Sequence, residues 1–318
     1  MRRSGLIAGT IGTYCLLVLS AVAQSPTAQG PTATESVTVT APSLPPEAAV
    51  QAFVKSLAAS PEPIGKIARW RTGICPAVAG ISTDYGKFVS QRLKEIAAQV
   101  GAPVGKQSCK ANIDIVFTPA PQVLMDNVRQ KHAVLLGYHD TAQAESLATV
   151  SHPVQAWYTT ETEDYDGYRT IDSAQRNRGV TLFEPPGPGC RTGCTIFLPN
   201  AREEHTDTSR LTDTLRSELF HVIITVDLKR IAGVQLGALS DYIALLALVP
   251  ARSFDTCQNL VSIANLIATG CGGNKKPDAL SAYDLAYLHA VYQMDSSASL
   301  AQQRSTISYW MLQQIKMR

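Results

Sequence analysis

The chain has 318 residues, of which 45% are hydrophobic and 17% charged, with a formal net charge of +2. So much apolar content with so little net charge excludes an intrinsically disordered chain. The missing basic excess removes the usual electrostatic footprint of a nucleic-acid binder, so no nucleic-acid partner is expected. The length allows one large domain or two small ones, with ample core.

Residues 1–23 read as a signal peptide. Arg2 and Arg3 supply the positive start, Leu16-Leu17-Val18-Leu19 the apolar centre, and Ala21-Val22-Ala23 the small-x-small cleavage pattern. Gln24 is then the expected mature N-terminus. Gly9, Thr10, Gly12 and Thr13 interrupt the apolar stretch, which is too weak to read as a lasting membrane span. No integral membrane domain is therefore expected after cleavage. The two leader arginines account for the whole formal charge, so the mature chain is neutral. Export predicts a periplasmic or extracellular location.

Cys15 leaves with the leader. Six cysteines remain: Cys75, Cys109, Cys190, Cys194, Cys257 and Cys271. An even count in an exported chain points to disulfides. Nearest-neighbour pairing, Cys75–Cys109, Cys190–Cys194 and Cys257–Cys271, is the favoured connectivity, and others stay open. Cys190 and Cys194 alone, with no second close pair, are a weak zinc signal.

Residues 24–46 hold five prolines, five threonines and one acid, Glu35. Such a stretch predicts a disordered linker, although Val37-Thr38-Val39-Thr40 alternates like an edge strand. Order is expected from Glu47. Val50, Phe53, Val54, Leu57 and Ala58 recur at helical spacing, and Pro61 and Pro63 end the run. A short strand is expected through Ile67 to Trp70, with a turn near Gly73. Tyr85, Phe88, Val89, Leu93, Ile96, Ala97 and Val100 predict one helical stripe, stopped by Gly101. Ile113 to Phe117 reads as a strand and Pro121 to Arg129 as a helix.

Strands dominate the middle of the chain. Val154 to Thr160 is β-branched and aromatic, and Asp166-Gly167 marks a turn. Val180 to Phe183 and Cys194 to Leu198 flank a proline–glycine loop, as in a hairpin. Leu219 to Val226 is the most strand-like run. The C-terminal third turns helical. Leu236 to Leu248 is apolar nearly all round and predicts a buried helix ended by Pro250. Ser281 with Asp284 three residues later reads as a capping box. A last helix is expected from Leu300 to Ile315. No repeat or second linker appears, so residues 47–318 read as a single α+β domain, a mixed sheet with packed helices.

Chemistry is scarce. There is no Gly-x-Ser-x-Gly elbow, no Ser-x-x-Lys and no phosphate loop, since Gly270 to Lys276 has its glycines and lysines out of register. That segment reads as a disulfide-closed turn. No His-x-x-x-His pair exists. His132 and His139 would share a face only on a continuous helix, which Gly137 argues against. His221 reads as a satisfied strand histidine and His289 as a partly exposed helical one. Glu161, Glu163, Asp164, Asp166 and Gly167 resemble half a calcium loop, but Thr162 and Ser173 stand where acids are needed. A solvated hairpin tip is the better reading. Glu203-Glu204-His205 has Ala201 where an inverted zinc motif needs His.

The order of elements resembles an uncharacterised group of secreted bacterial proteins and, more distantly, zincin-type metallopeptidases. The resemblance rests on the strand Phe220 to Val226, the helix Leu236 to Leu248, the segment Ser262 to Leu266, and Leu280 to Leu285 continuing to Leu288 and Tyr292. It implies a zincin-like fold. In zincins the buried helix carries His-Glu-x-x-His. Here the likeness places Asp241-Tyr242-Ile243-Ala244-Leu245 there, which offers neither histidine nor general base. It therefore assigns no catalytic, cofactor or metal-binding residue. What it implies is a non-catalytic binding or accessory protein of the cell envelope, with a peptide or envelope component as partner. The alternatives are a hydrolase with a non-standard site and a purely structural envelope protein.

Overall fold

The structure, a computed structural model, describes residues 47–58, 64–139, 141–172, 180–184, 194–198, 214–251, 254, 257–272 and 275–316. The order of elements is α1 (Glu47–Leu57), β1 (Pro76–Ala79), α2 (Thr83–Gln99), β2 (Ile113–Thr118), α3 (Pro121–Lys131), α4 (Ala144–Leu147), β3 (Val154–Glu163) and β4 (Arg169–Ile171). There follow β5 (Val180–Glu184), β6 (Cys194–Leu198), β7 (Arg216–Asp227), α5 (Leu236–Leu248), α6 (Ala282–Gln293) and α7 (Leu300–Lys316). The described residues from Glu47 onward belong to one compact unit, and the expected leader and linker, 1–46, lie outside the described residues.

The main sheet runs β1-β2-β7-β3-β4. β1, β2 and β7 are parallel, and β3 and β4 continue antiparallel. This is the mixed sheet of an α+β fold. β5 and β6 form a separate antiparallel pair in which Glu184 faces Cys194. Strict alternation builds β2, where every second residue is buried. Ile113 and Ile115 with Val222, Ile224 and Val226 face the larger core, which α1, α2, α5, α6 and α7 complete. The opposite face carries a smaller cluster, where Trp157 and Ile223 meet Met125 and Val128 of α3 and Leu136. No helix among the described residues is long and apolar enough to cross a membrane.

Local chemistry sets the helix ends. Pro121 opens α3, where its missing N–H costs nothing. Gly101, at φ +82°, closes α2: its N–H reaches Ala98 O, and Ala102 N–H reaches Ala97 O. Gly80 turns the chain from β1 toward α2 at φ +85°, where a Cβ would lie 1.8 Å from the Phe117 carbonyl. The capping box of Ser281 and Asp284 starts α6 as its sequence predicts. Asp284 is buried and also accepts from Ser262 Oγ and Ile263 N, tying a distant loop to that helix start.

α5 has the expected bounds, and every residue from Ala238 to Leu248 is buried. A helix ending inside protein leaves carbonyls that water cannot reach. Three aromatic side chains answer them. Trp70 Nε1 donates to Ala247 O at 2.7 Å, Tyr158 OH to Leu246 O at 2.9 Å, and Tyr292 OH to Leu248 O at 2.7 Å. Arg69 does the same for α6: its Nη1 lies within 2.9 Å of the carbonyls of Val291, Tyr292 and Met294.

Two expectations need correction. Ile67 to Trp70 is not a strand. Only Arg69 bridges to the sheet, opposite Glu218, while the Ile67 N–H is taken by Gln303 Oε1 instead of a strand partner. The strand of this region is β1, beyond the turn at Gly73. In α2, Tyr85 and Phe88 are 59% and 46% exposed rather than part of the core stripe. Only Val89, Leu93, Ile96 and Ala97 of that helix turn fully inward.

Candidate functional site

The segment that the resemblance aligns with a zinc helix is core. Asp241, Tyr242, Ile243, Ala244 and Leu245 are each at most 1% exposed. Asp241 is gripped by Arg92 of α2, with Nε to Oδ1 at 2.6 Å and Nη2 to Oδ2 at 2.9 Å. Leu280 N–H also donates to Oδ2 at 2.8 Å. This carboxylate is spent on structure. Among the described residues no group of three or more His, Cys, Asp or Glu side chains is placed to hold a metal ion.

The described histidines do not converge. α3 ends at Lys131, so His132 is its cap, while His139 is buried with Nδ1 against Gly137 O at 2.6 Å. His221 Nε2 lies 3.3 Å from Asp114 Oδ2, and its Nδ1 is buried without a hydrogen bond. His289 meets Gln314 Nε2. His205 lies outside the described residues. Cys75–Cys109 and Cys257–Cys271 are disulfide-bonded, and the latter closes the Gly270 turn as expected. Cys190 and the side chain of Cys194 lie outside the description.

Glu161 and Glu163 are the principal correction. They are not a solvated tip but are 8% and 6% exposed. Residues two apart on a strand share a face, and register sets Glu218 opposite Glu161 and Arg216 opposite Glu163. Arg169 of β4 stands opposite Glu163 on the other side. Arg71 comes from the chain beside β7. Three half-exposed arginines thus cover three buried carboxylates. Glu218 Oε1 meets Arg71 Nε at 3.2 Å and its Oε2 meets Arg169 Nη1 at 3.3 Å. Glu163 meets Arg169 at 2.9 Å, Arg216 at 3.1 Å and Arg71 at 3.5 Å.

Burial is the largest cause that pushes the Glu218 carboxyl up to about 7; the adjoining Glu163, which favours a proton held between the two, adds to it. Burial also raises Glu163, but the Glu218 contact and the charges of Arg71 and Arg169 outweigh it and hold that group low. Burial pushes Glu161 up against the pull of Arg169. One signal was available in the sequence: Thr159-Thr160-Glu161-Thr162-Glu163 keeps strand-like alternation past the point where the apolar residues stop.

A groove of 490 Å³ opens between β1 and α2. Val78 and Ile81 form its apolar floor, and Thr83, Lys87, Ser90, Gln91 and Lys94 line its helix side. Spacings of three and four place those five on one helix face. β1 is an edge strand. Cys75 turns its backbone toward β2, since Ile113 N and Asn112 N donate to its carbonyl. Ile74 turns the other way, to Pro103 O and Gly105 N. Alternation then points the Pro76 carbonyl and both backbone groups of Val78 outward. No described residue hydrogen-bonds them. The groove leaves no signal in the sequence, because its wall is the unremarkable polar face of a helix.

No family model, no curated protein and no solved structure matches this chain.

Proposed function

We propose that this is an exported, non-catalytic binding protein of the cell envelope, zincin-like in its sheet and central helix, with the β1–α2 groove as its binding site. The observation that carries the reading is the state of Asp241. Its carboxylate is enclosed and bonded by Arg92 and by the Leu280 N–H, so the helix has packing duty at the position where the zincin likeness would put a metal. The groove supplies what the central helix lacks, an open concave surface with apolar floor and unused polar groups. Two disulfides suit an oxidising compartment outside the cytoplasm.

The test is incubation of the mature protein with a mixed peptide library, read by mass spectrometry. Hydrogen-exchange protection confined to residues 76–94, with no new peptide termini, is the expected result. Chelator-sensitive cleavage would overturn the reading.

One observation favours a hydrolase instead. Glu163 and Glu218 are neighbouring carboxyls whose proton affinities are driven apart, the arrangement of an acid–base pair. Their burial beneath Arg71, Arg169 and Arg216 weighs against substrate access. Turnover abolished by Glu218→Gln would establish this second reading.

A further inference from the structure

We infer that the β1–α2 groove takes an extended acidic peptide segment, which adds to the sheet as a new edge strand beside β1. The inference rests on the binding-protein reading above and names the ligand of that site.

The backbone argument comes first. The lane outside β1 is already begun by the chain itself: Val104 pairs with Ile74 as an isolated parallel bridge. Beside Pro76–Ala79 no described residue continues it. The strand there presents two carbonyls, of Pro76 and Val78, and one N–H, of Val78. Pro76 has no N–H to leave unmet. Acceptors and a donor in alternation at strand spacing match the repeating groups of a peptide main chain, whereas the oxygens of a phosphate cluster around one atom.

Charge selects the side chains. Among the described residues of the lining only Lys87 and Lys94 are ionisable, and Ser82, Thr83, Ser90 and Gln91 are neutral. The two lysines are seven residues apart, two helical turns or about 10 Å. An extended chain covers that span in about three residues, and its alternate side chains share one face. Carboxylates at alternate positions therefore come within reach of both flexible lysine stems, while the intervening side chains meet Val78 and Ile81 or solvent.

The test is fluorescence anisotropy of the mature protein with a labelled peptide of alternating Glu and Val. Saturable binding is expected, with none to the Lys/Val counterpart. Lys87→Glu with Lys94→Glu should weaken binding about tenfold or more, equivalent to 1.4 kcal/mol. N-methylation of alternate peptide amides should abolish it, since only the main-chain bonds are then lost. Both substitutions lie on the solvent side of α2, and an unchanged melting temperature checks the fold. Equal binding by the double variant or by the N-methylated peptide would overturn the inference. So would binding to phosphatidylglycerol vesicles with none to the peptide. Cleavage of the bound peptide, with the lysine dependence intact, would instead overturn the non-catalytic reading and leave the groove assignment standing.

Discussion

Arg92 on α2 holds Asp241 on α5 through two parallel hydrogen bonds, of 2.6 and 2.9 Å, across 149 residues of sequence. The carboxylate is 1% exposed while the arginine side chain keeps 35% of its surface in solvent. The pair is therefore asymmetric. Removing the arginine strands a buried charge, whereas removing the acid leaves a cation that can turn to water. Arg92→Ala should cost about 3 kcal/mol of stability, and Asp241→Asn less. Urea denaturation of both variants and of the double variant checks this. Equal losses for the two single changes would contradict the asymmetry.

The buried end of α5 makes a second expectation. Trp70→Phe retains most of the apolar volume but leaves the Ala247 carbonyl without its donor. A loss of about 1–3 kcal/mol follows, the cost of an unmet buried acceptor. Tyr292→Phe should behave alike through Leu248 O. Thermal melts of the two variants test it. Wild-type stability in both would mean that these carbonyls find other partners.

The carboxylate cluster makes stability depend on pH. Glu218 holds its proton up to about pH 7 in the folded chain, against an ordinary value of 4.5. Its contribution is thus complete below about 4.5 and is lost as pH rises through about 7. Glu163, held low, has the opposite sign: its contribution is present above its ordinary value and lost as pH falls through its depressed one. Between about pH 5 and 7 the Glu218 contribution to stability should therefore fall. Glu218→Gln, neutral throughout and similar in size, should flatten that fall. Urea midpoints across the range decide, and an unchanged slope in the variant would remove Glu218 as its source.

Peptide mapping without reduction should return Cys75 linked to Cys109 and Cys257 linked to Cys271. The first bond closes a loop with a sequence separation of 34 residues. Removing it by Cys75→Ser with Cys109→Ser should cost about 3–4 kcal/mol on the chain-entropy estimate. The second closes a shorter loop, of separation 14, and should cost somewhat less. Free, alkylatable thiols at these four positions in the native protein would refute the pairing.

Local physics was legible in the sequence alone. The bounds of α5 follow from a largely apolar run stopped by Pro250, and α6 begins where Ser281 and Asp284 can cap each other. Gly101 ends α2 because only glycine enters the left-handed turn there without strain. The Cys75–Cys109 and Cys257–Cys271 bonds join neighbours in sequence. What the sequence could not display are meetings between residues with no period in common. Arg71 reaches Glu163 across 92 positions and Arg92 reaches Asp241 across 149. Trp70 meets the end of a helix 177 positions away. Glu161 and Glu163 read as a solvated tip because charge beside a turn is usually hydrated, and only the pairing of β3 with β7 and β4, together with Arg71 from the chain beside β7, brings three arginines over the cluster. The groove likewise depends on which strand ends up at the sheet edge. Strand order is set by the packing of the whole sheet, and no local stretch of the chain encodes it.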